Sequence, residues 1–210
     1  MIKARFGADF DRVVLGAFPF ISRIRISPDV LTGTGVVVSL VAALAFATGH
    51  LVWAGVALLG AGFFDLIDGV VARAQGSSGI SGGFFDSSMD RVADLLMFSG
   101  MAVGMASQAD SAGVLLVCWA LTGSVMTSYT RARAERHLAH FSVGLMERGE
   151  RLGLIILGAL TGFLELALWL VAIGATATSL QRVVVARRLL QELDRTGRDP
   201  TAVEAPIEAS

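Results

Sequence analysis

The chain has 210 residues, of which 54% are hydrophobic and 17% are charged, with a net charge of −1 and a mean hydropathy of +0.67. An ordinary soluble domain carries nearer a quarter charged residues, so this composition excludes that class and also excludes disorder over most of the length. The single cysteine, Cys118, excludes a disulfide framework and a cysteine metal cluster. The sequence therefore predicts an integral membrane protein.

The first residues predict a helix that lies along the membrane surface. Apolar residues repeat there at helical spacing with charged residues between them, at Ile2, Phe6, Phe10, Val13 and Ala17. Such a pattern is typical of an interfacial amphipathic helix, and the acidic residues within it are unlike a signal peptide. We expect this juxtamembrane helix to occupy residues 1–20.

Long uncharged segments follow, and they predict six transmembrane helices. Backbone groups in hydrocarbon must bond internally, and a helix achieves this within a single segment of about 20 residues. The predicted spans are residues 30–48, 52–74, 83–107, 112–137, 148–163 and 166–190. The predicted fold is an all-α integral membrane protein, with a membrane domain over residues 1–190 and a polar, disordered tail over residues 191–210.

The basic residues orient these helices. All 17 Lys and Arg residues fall at one end of the predicted helices, while the opposite turns, near His50, Asp110 and Glu165, carry none. By the positive-inside rule the basic end faces the cytoplasm. We therefore expect a multi-pass protein of the cell membrane with both termini and the site described next on the cytoplasmic side.

Four aspartates lie at the basic ends of the second and third predicted helices. Asp65 and Asp68 are three residues apart, and Asp86 and Asp90 are four apart, so each pair shares one face of its helix. Carboxylates that converge at membrane depth repel one another and cannot all stay ionised unaided. A pair of Mg²⁺ or Mn²⁺ ions would neutralise their charge. Because two metals on carboxylates recur in phosphoryl chemistry, the sequence predicts a two-metal site for that chemistry.

Two further residues of this segment suit a phosphate ligand. Gly69 lets a ligand approach the backbone, and Arg73 supplies a guanidinium fork. The alternative is that the acids only face water at helix ends, paired with Arg73 and Arg91. That alternative stays open for any one aspartate, but it does not explain the whole set.

The segment from Asp65 to Asp90 resembles the signature of the CDP-alcohol phosphotransferase family. It has the form Asp65-x2-Asp68-Gly69-x2-Ala72-Arg73-x8-Gly82-x3-Asp86-x3-Asp90. The resemblance implies that a CDP-linked lipid such as CDP-diacylglycerol donates its phosphatidyl group to an alcohol while CMP leaves. It further implies that the four aspartates hold two metal ions, that Asp90 is also the general base, and that Gly69 and Arg73 contact the CDP part.

The start of the first span resembles another element of the same family. Pro28-Asp29-Val30-Leu31-Thr32 is similar to a Pro-Asn-x-x-Thr element near the nucleotide, with Asp in place of Asn. The resemblance implies that Asp29 and Thr32 contact the CDP-lipid. Gly79, in the loop between the aspartate pairs, is assigned a backbone contact to the nucleotide.

A second basic group predicts an anionic acceptor. Arginines close the fourth and sixth predicted spans and open the fifth, and arginine clusters suit phosphate, although the positive-inside rule alone is an alternative explanation. Segments 128–135, 147–152 and 181–182 are similar to the phosphatidylinositol phosphate synthase branch of the family. That resemblance implies an acceptor-phosphate site made by Ser128, Arg131, Arg151 and Arg182.

The predicted function is therefore phospholipid biosynthesis with myo-inositol 1-phosphate as acceptor, and glycerol 3-phosphate is the closest alternative. From another class, a small cation transporter could use the aspartates as a metal path, but the acids cluster at one membrane face. The family resemblance favours a homodimer, and no nucleic-acid partner is expected. The pair Gly100 and Gly104 permits close helix packing, either within the chain or across a dimer.

Overall fold

A computed structural model describes residues 27–76, 79–139, 141–197 and 199–201, and within them the chain is helical with no strand. The helices in chain order are α1 (Pro28–Ala47), α2 (Leu51–Ala74), α3 (Ile80–Ser107), α4 (Ser111–Ala134), α5 (Arg148–Thr161) and α6 (Leu164–Thr196). Each predicted span corresponds to one helix. The prediction of an all-α fold is confirmed.

Short turns join the helices at the end opposite to the arginines. Gly49, between α1 and α2, has φ +79°, and Gly162, between α5 and α6, has φ +81°. Both values lie in the left-handed region that glycine adopts without steric cost, which ends one helix and reverses the chain. Between α3 and α4, the Asp110 side chain accepts a hydrogen bond of 2.8 Å from the Gly113 backbone N–H and so caps α4.

The described helices bury a main apolar core and two smaller apolar clusters. Helix α1 packs against α2 and α3, α4 packs against α3 and α6, and α5 packs against α2 and α6. A Cβ atom at Gly100 would overlap the backbone of Ala43, and one at Gly104 would overlap the carbonyl of Phe46. The predicted small-residue pair therefore brings α3 against α1 within the same chain.

Four helices, α1, α2, α4 and α6, are long and apolar enough to cross a membrane by length and composition. Helix α5 has only 14 residues, and α3 carries Asp86, Asp90, Arg91 and Asp94. The structure therefore supports an all-α membrane protein. It does not establish six membrane-spanning helices, because α3 and α5 do not satisfy the same criterion.

The two ends of the chain were also predicted. The amphipathic helix at residues 1–20 lies outside the described residues, as do residues 202–210 of the predicted tail. Helix α6 continues to Thr196, so the tail that was predicted to begin at residue 191 starts as a helix. The helix persists because Leu189 and Leu190 give it an apolar side that packs against the connection between α4 and α5.

Candidate active site

Three of the predicted metal ligands meet in the structure. Asp65 and Asp68 on α2 and Asp86 on α3 each place a carboxylate oxygen within 4.8 Å of the others. The three-residue spacing on α2 turns both of its acids to one side, and α1, which packs against α2 and α3, holds the two helices in place. A set of three carboxylates suits a divalent cation such as Mg²⁺ or Mn²⁺, so this carboxylate cluster (Asp65, Asp68 and Asp86) fits the predicted metal.

A threonine from α1 orients the most buried member of the carboxylate cluster. Asp68 is only 4% exposed, and the Thr32 hydroxyl lies 2.6 Å from its Oδ2 atom. The same hydroxyl lies 3.1 Å from the carbonyl oxygen of Pro28, but its single proton favours the nearer, charged acceptor. Thr32 was predicted to contact the CDP-lipid, and its observed contact is with Asp68.

Asp90 is not one of these three carboxylates but lies beside them, next to an arginine from α5. The Nη1 atom of Arg148 is 2.8 Å from Asp90 Oδ1 and 3.4 Å from Asp65 Oδ2. Its Nε atom donates a hydrogen bond of 3.1 Å to Asp94 Oδ1. One guanidinium thus links α5 to both acid-bearing helices.

Arg148 and Asp94 were not among the predicted site residues, although the sequence carried a signal for each. Asp94 follows Asp90 by four residues, as Asp90 follows Asp86, so all three continue one face of α3. Arg148 was noticed only as one of the arginines at the start of the fifth span. Its partners are distant in sequence, and the spacing of the arginines gave no means of choosing between them.

A cavity of about 420 Å³, counting the space that opens to solvent, extends from these acids. Asp65, Asp68, Asp90 and Arg148 line its polar part. The remainder is lined mainly by small and apolar side chains, among them Gly35, Ala61, Met97 and Leu152. The polar end, lined mainly by carboxylates, therefore suits a cation, and the apolar remainder suits hydrocarbon.

Two of the predicted acceptor-binding arginines also come together. Arg151 and Arg182 are 4% and 3% exposed, and both bond to Thr127 of α4. Arg151 Nη1 donates to the Thr127 hydroxyl at 3.1 Å, and Arg182 Nη1 donates to the Thr127 carbonyl at 2.6 Å. We call this group (Thr127, Arg151 and Arg182) the arginine pocket.

The connection between α4 and α5 completes the arginine pocket with backbone carbonyl groups. Arg182 Nε donates to the Val143 carbonyl at 2.6 Å, and Arg151 Nη1 lies 3.4 Å from the Met146 carbonyl. Gly144, between them, has φ +146°, and a Cβ atom there would lie 2.9 Å from Arg182 Nη2. A glycine is therefore needed at this position, both for the backbone conformation and for the space that Arg182 occupies.

The other two predicted acceptor residues have local contacts. Arg131 is half-exposed and bonds through Nε to Glu135 Oε1 at 2.7 Å, one turn further along the chain. The Ser128 hydroxyl donates to the Ser124 carbonyl of its own helix at 3.3 Å. Neither residue forms a hydrogen bond with Arg151 or Arg182, although Arg131 lies close enough to Arg182 for the two charges to repel. Their predicted roles stay predictions.

The predicted CDP-binding residues lie near the starts and ends of helices. Asp29 is exposed in the first turn of α1, and Gly79 precedes the first residue of α3. A Cβ atom at Gly69 would lie 3.3 Å from Arg73 Nη1, so the Arg73 side chain extends along α2 over the glycine. Gly69 and Arg73 are therefore neighbours, and their predicted contact with a nucleotide stays a prediction.

The chain is similar to known proteins over most of its length. The family model described as CDP-alcohol phosphatidyltransferase matches residues 25–180. An archaetidylinositol phosphate synthase of Pyrococcus horikoshii is 34% identical over 172 residues, covering 81% of this chain and 89% of the relative. A phosphatidylinositol phosphate synthase of Streptomyces avermitilis is 35% identical over 213 residues, covering 92% and 86% respectively.

Solved structures with a similar fold were also found. The crystal structure of Mycobacterium tuberculosis phosphatidylinositol phosphate synthase with CDP-DAG bound has a TM-score of 0.71 at 28% identity, covering 85% of this chain and 92% of that chain. The same enzyme in complex with manganese and citrate has a TM-score of 0.73 at 29% identity, covering 85% of this chain and 88% of that chain. The likeness therefore extends over most of the chain.

Proposed function

The chain belongs to the CDP-alcohol phosphatidyltransferase family, and on that premise we propose that it transfers a phosphatidyl group from CDP-diacylglycerol to myo-inositol 1-phosphate, releasing CMP. The observation that carries the choice of acceptor is the arginine pocket, in which two buried guanidinium groups lie next to an acidic site. Buried arginines suit a phosphorylated alcohol, whereas a neutral alcohol would bring no charge to balance them.

The names of the relatives support the same acceptor. The Pyrococcus horikoshii and Streptomyces avermitilis proteins are named for different lipids, archaetidyl and phosphatidyl, but both names contain inositol phosphate. The feature they share is the acceptor, and it is the acceptor that we assign to this chain. We assign a diacylglycerol lipid from the neighbour of known structure that has CDP-DAG bound.

The residues of the carboxylate cluster would hold the metal, and we propose that Asp90 joins them as a ligand of a second ion. Divalent cations neutralise phosphate oxygens, which makes CMP a better leaving group. Arg73, alongside Gly69, would contact the same diphosphate, with Asp29, Thr32 and Gly79 near the nucleotide. The cavity lined by Gly35, Ala61 and Met97 would receive the apolar part of the donor lipid.

Asp90 is the proposed general base. Its carboxylate accepts the proton of the acceptor hydroxyl as that oxygen attacks the phosphorus atom attached to the lipid. A new phosphorus–oxygen bond forms to the acceptor, and the bond between the two phosphates of the donor breaks. CMP leaves with the electron pair of that bond, and the phosphatidyl group stays on the acceptor.

The arginine pocket positions the acceptor for this attack. A guanidinium carries five N–H donors, and the contacts described above use two of those on Arg182 and two on Arg151. The other N–H groups of this pair can donate to the acceptor phosphate, with Arg131 and Ser128 at the rim. Arg148 and Arg151 lie one turn apart on α5. The same helix therefore provides the arginine that contacts Asp90 and the arginine that would bind the acceptor phosphate.

We further propose six membrane-spanning helices, with the site and both termini on the cytoplasmic side, and a homodimeric assembly. Helices α3 and α5 cross with the others because they pack between helices that are long and apolar enough to span. The position of the arginines supports the orientation. The dimer is supported by the family resemblance, and its contact surface excludes Gly100 and Gly104, which pack against α1.

The test is a parallel assay of four acceptors with CDP-diacylglycerol and Mg²⁺. We expect CMP release and a product of the mass of phosphatidylinositol phosphate with myo-inositol 1-phosphate. Product formation with glycerol 3-phosphate instead would assign the alternative acceptor. Activity with free inositol or serine, but not with a phosphorylated alcohol, would contradict the role of the arginine pocket, and a cation transporter would release no CMP.

A further inference from the structure

Arg148 contacts three acidic side chains, although the proposed reaction gives it no role. Its guanidinium lies within 3.4 Å of carboxylate oxygens from Asp65, Asp90 and Asp94. Its side chain is 19% exposed, and that of Asp94 is 10% exposed. A charge held in such a place is stabilised mainly by its partners, because little water reaches it.

The two edges of the guanidinium have different partners. The Nε atom bonds to Asp94, while Nη1 lies between Asp90 and Asp65. Asp94 belongs to neither the carboxylate cluster nor the proposed pair of ion sites, whereas Asp65 and Asp90 are proposed metal ligands. Arg148 is therefore bound at one edge to an acid outside the proposed ion sites and at the other to the acids that a cation would use.

We propose that Arg148 is a positioning residue that acts as an internal counter-ion, competing with divalent cations for Asp65 and Asp90 while it stays bound to Asp94. This proposal rests on the metal-binding role of those two acids. Its physical basis is Coulombic, because a guanidinium held within 3.4 Å of a carboxylate opposes the approach of a second cation. The negative charge of Asp94 partly neutralises the guanidinium and so weakens its repulsion of a metal ion.

The charge balance of the site agrees with the proposal that Arg148 pairs with Asp94 while the other acids bind metal ions. Asp65, Asp68, Asp86 and Asp90 balance two divalent cations, which leaves Arg148 and Asp94 as a neutral pair of their own. Arg91 Nη2 also lies 3.4 Å from Asp90, on the Oδ2 atom, but its side chain is 34% exposed and therefore better screened by water. Arg148 is the cation that links the two groups of acids.

The experiment measures Mn²⁺ binding to the full chain in detergent, without any lipid or acceptor, from the electron paramagnetic resonance signal of free Mn²⁺. In Arg148→Gln we expect the Kd for Mn²⁺ to fall on the order of tenfold, because the competing charge is gone. Thermal unfolding in EDTA should occur at a lower temperature than in the wild type, since the acids then lack their counter-ion. A merely structural role would weaken Mn²⁺ binding instead.

Asp94→Asn provides a second variant with the opposite expectation. Without Asp94, the whole charge of Arg148 faces Asp65 and Asp90, so the Kd for Mn²⁺ should rise several-fold. Loss of the negative charge of Asp94 would by itself also raise the Kd for Mn²⁺. The double variant, Asp94→Asn with Arg148→Gln, separates this direct effect from the effect through Arg148. If Asp94 acts through Arg148, Asp94→Asn should have little effect in the Arg148→Gln background.

The matched control is Arg187→Gln, which removes one exposed positive charge from α6 and should leave the Kd for Mn²⁺ unchanged. An unchanged or higher Kd in Arg148→Gln overturns the proposal, as does a lower Kd in Asp94→Asn. Should Arg148→Gln fail to fold, Arg148→Met, which keeps an apolar stem of similar length, replaces it in both the single and the double variant. Absence of Mn²⁺ binding by the wild type would overturn the metal-ligand assignment itself, whereas normal binding with no phosphatidyl transfer would contradict only the proposed function.

Discussion

The carboxylate cluster and the arginine pocket lie next to each other but are built in different ways. The cluster is made by side chains on regular helices, and one hydroxyl from α1 orients it. The pocket is made by arginines that are held by backbone carbonyls, two of them from the irregular connection between α4 and α5. We therefore expect substitutions in the first region to affect metal binding and chemistry, and substitutions in the second to affect only the acceptor.

The largest effect is expected for Asp90→Asn. The amide cannot accept the acceptor proton, so phosphatidyl transfer should fall by about 10²- to 10⁴-fold. Turnover is measured as CMP release, and CDP-lipid binding is the control, which should persist. Mn²⁺ binding by Asp65, Asp68 and Asp86 should also persist, whereas the second ion, for which Asp90 is a proposed ligand, should bind more weakly. Near-normal turnover in a folded variant would refute the assignment of the base.

Next in size is Arg151→Gln in the arginine pocket. The variant loses a buried charge that we propose binds the acceptor phosphate, and we expect kcat/KM for myo-inositol 1-phosphate to fall by about 100-fold. The effect should appear in the KM for the acceptor, with the Kd for Mn²⁺ unchanged. Arg133→Gln, an exposed arginine in the last turn of α4, is the matched control. An acceptor KM equal to that of the wild type would exclude Arg151 from phosphate binding.

Thr32→Val tests the hydroxyl that orients the carboxylate cluster. Losing the bond to Asp68 should weaken Mn²⁺ binding by about tenfold, because partners behind a ligand fix its orientation. Thr34→Val is the control, since the Thr34 hydroxyl bonds only within α1, to the Val30 carbonyl. Equal Mn²⁺ affinity in both variants would contradict a positioning role and favour the predicted direct contact of Thr32 with the CDP-lipid.

The smallest effect is expected for Gly144→Ala. The new Cβ atom would press on Arg182 and the backbone would be strained, so the KM for the acceptor should rise by about fivefold. Turnover at saturating acceptor and the Kd for Mn²⁺ should stay near the wild-type values. Gly153→Ala on α5, where a Cβ atom would meet nothing within 4 Å, is the control. A loss of Mn²⁺ binding in Gly144→Ala would mean that the two regions are not separable.

The fold and the carboxylate cluster could be predicted because their signals are local. Uncharged segments define helices in a membrane protein, and spacings of three and four residues place Asp65 with Asp68 and Asp86 with Asp90. The glycine-containing turns then bring the helices side by side. The sequence pattern does not predict which side chains contact each other across helices. The bond between Thr32 and Asp68 and the pairing of Asp90 with Arg148 therefore appear only in the structure.

The arginine pocket was only half predictable for the same reason. Arg151 and Arg182 were identified by their family resemblance, but Thr127, which joins them, is a threonine within an apolar helix and carries no pattern of its own. The connection that contains Val143 and Gly144 has no periodicity, and its contribution is made by backbone carbonyls, which every sequence possesses. Side-chain patterns cannot predict sites of this kind.

Helix α6 is long and apolar enough to cross a bilayer. At 1.5 Å per residue, the stretch from Leu164 to Arg182 is about 27 Å long, close to the roughly 30 Å of a bilayer's hydrocarbon layer. Arg182 would thus lie where the acyl chains end, and the remainder of the helix would project into the aqueous phase. In that arrangement the acceptor arrives from water along the membrane normal, while the donor lipid diffuses in sideways from the leaflet, so neither substrate has to cross the path of the other.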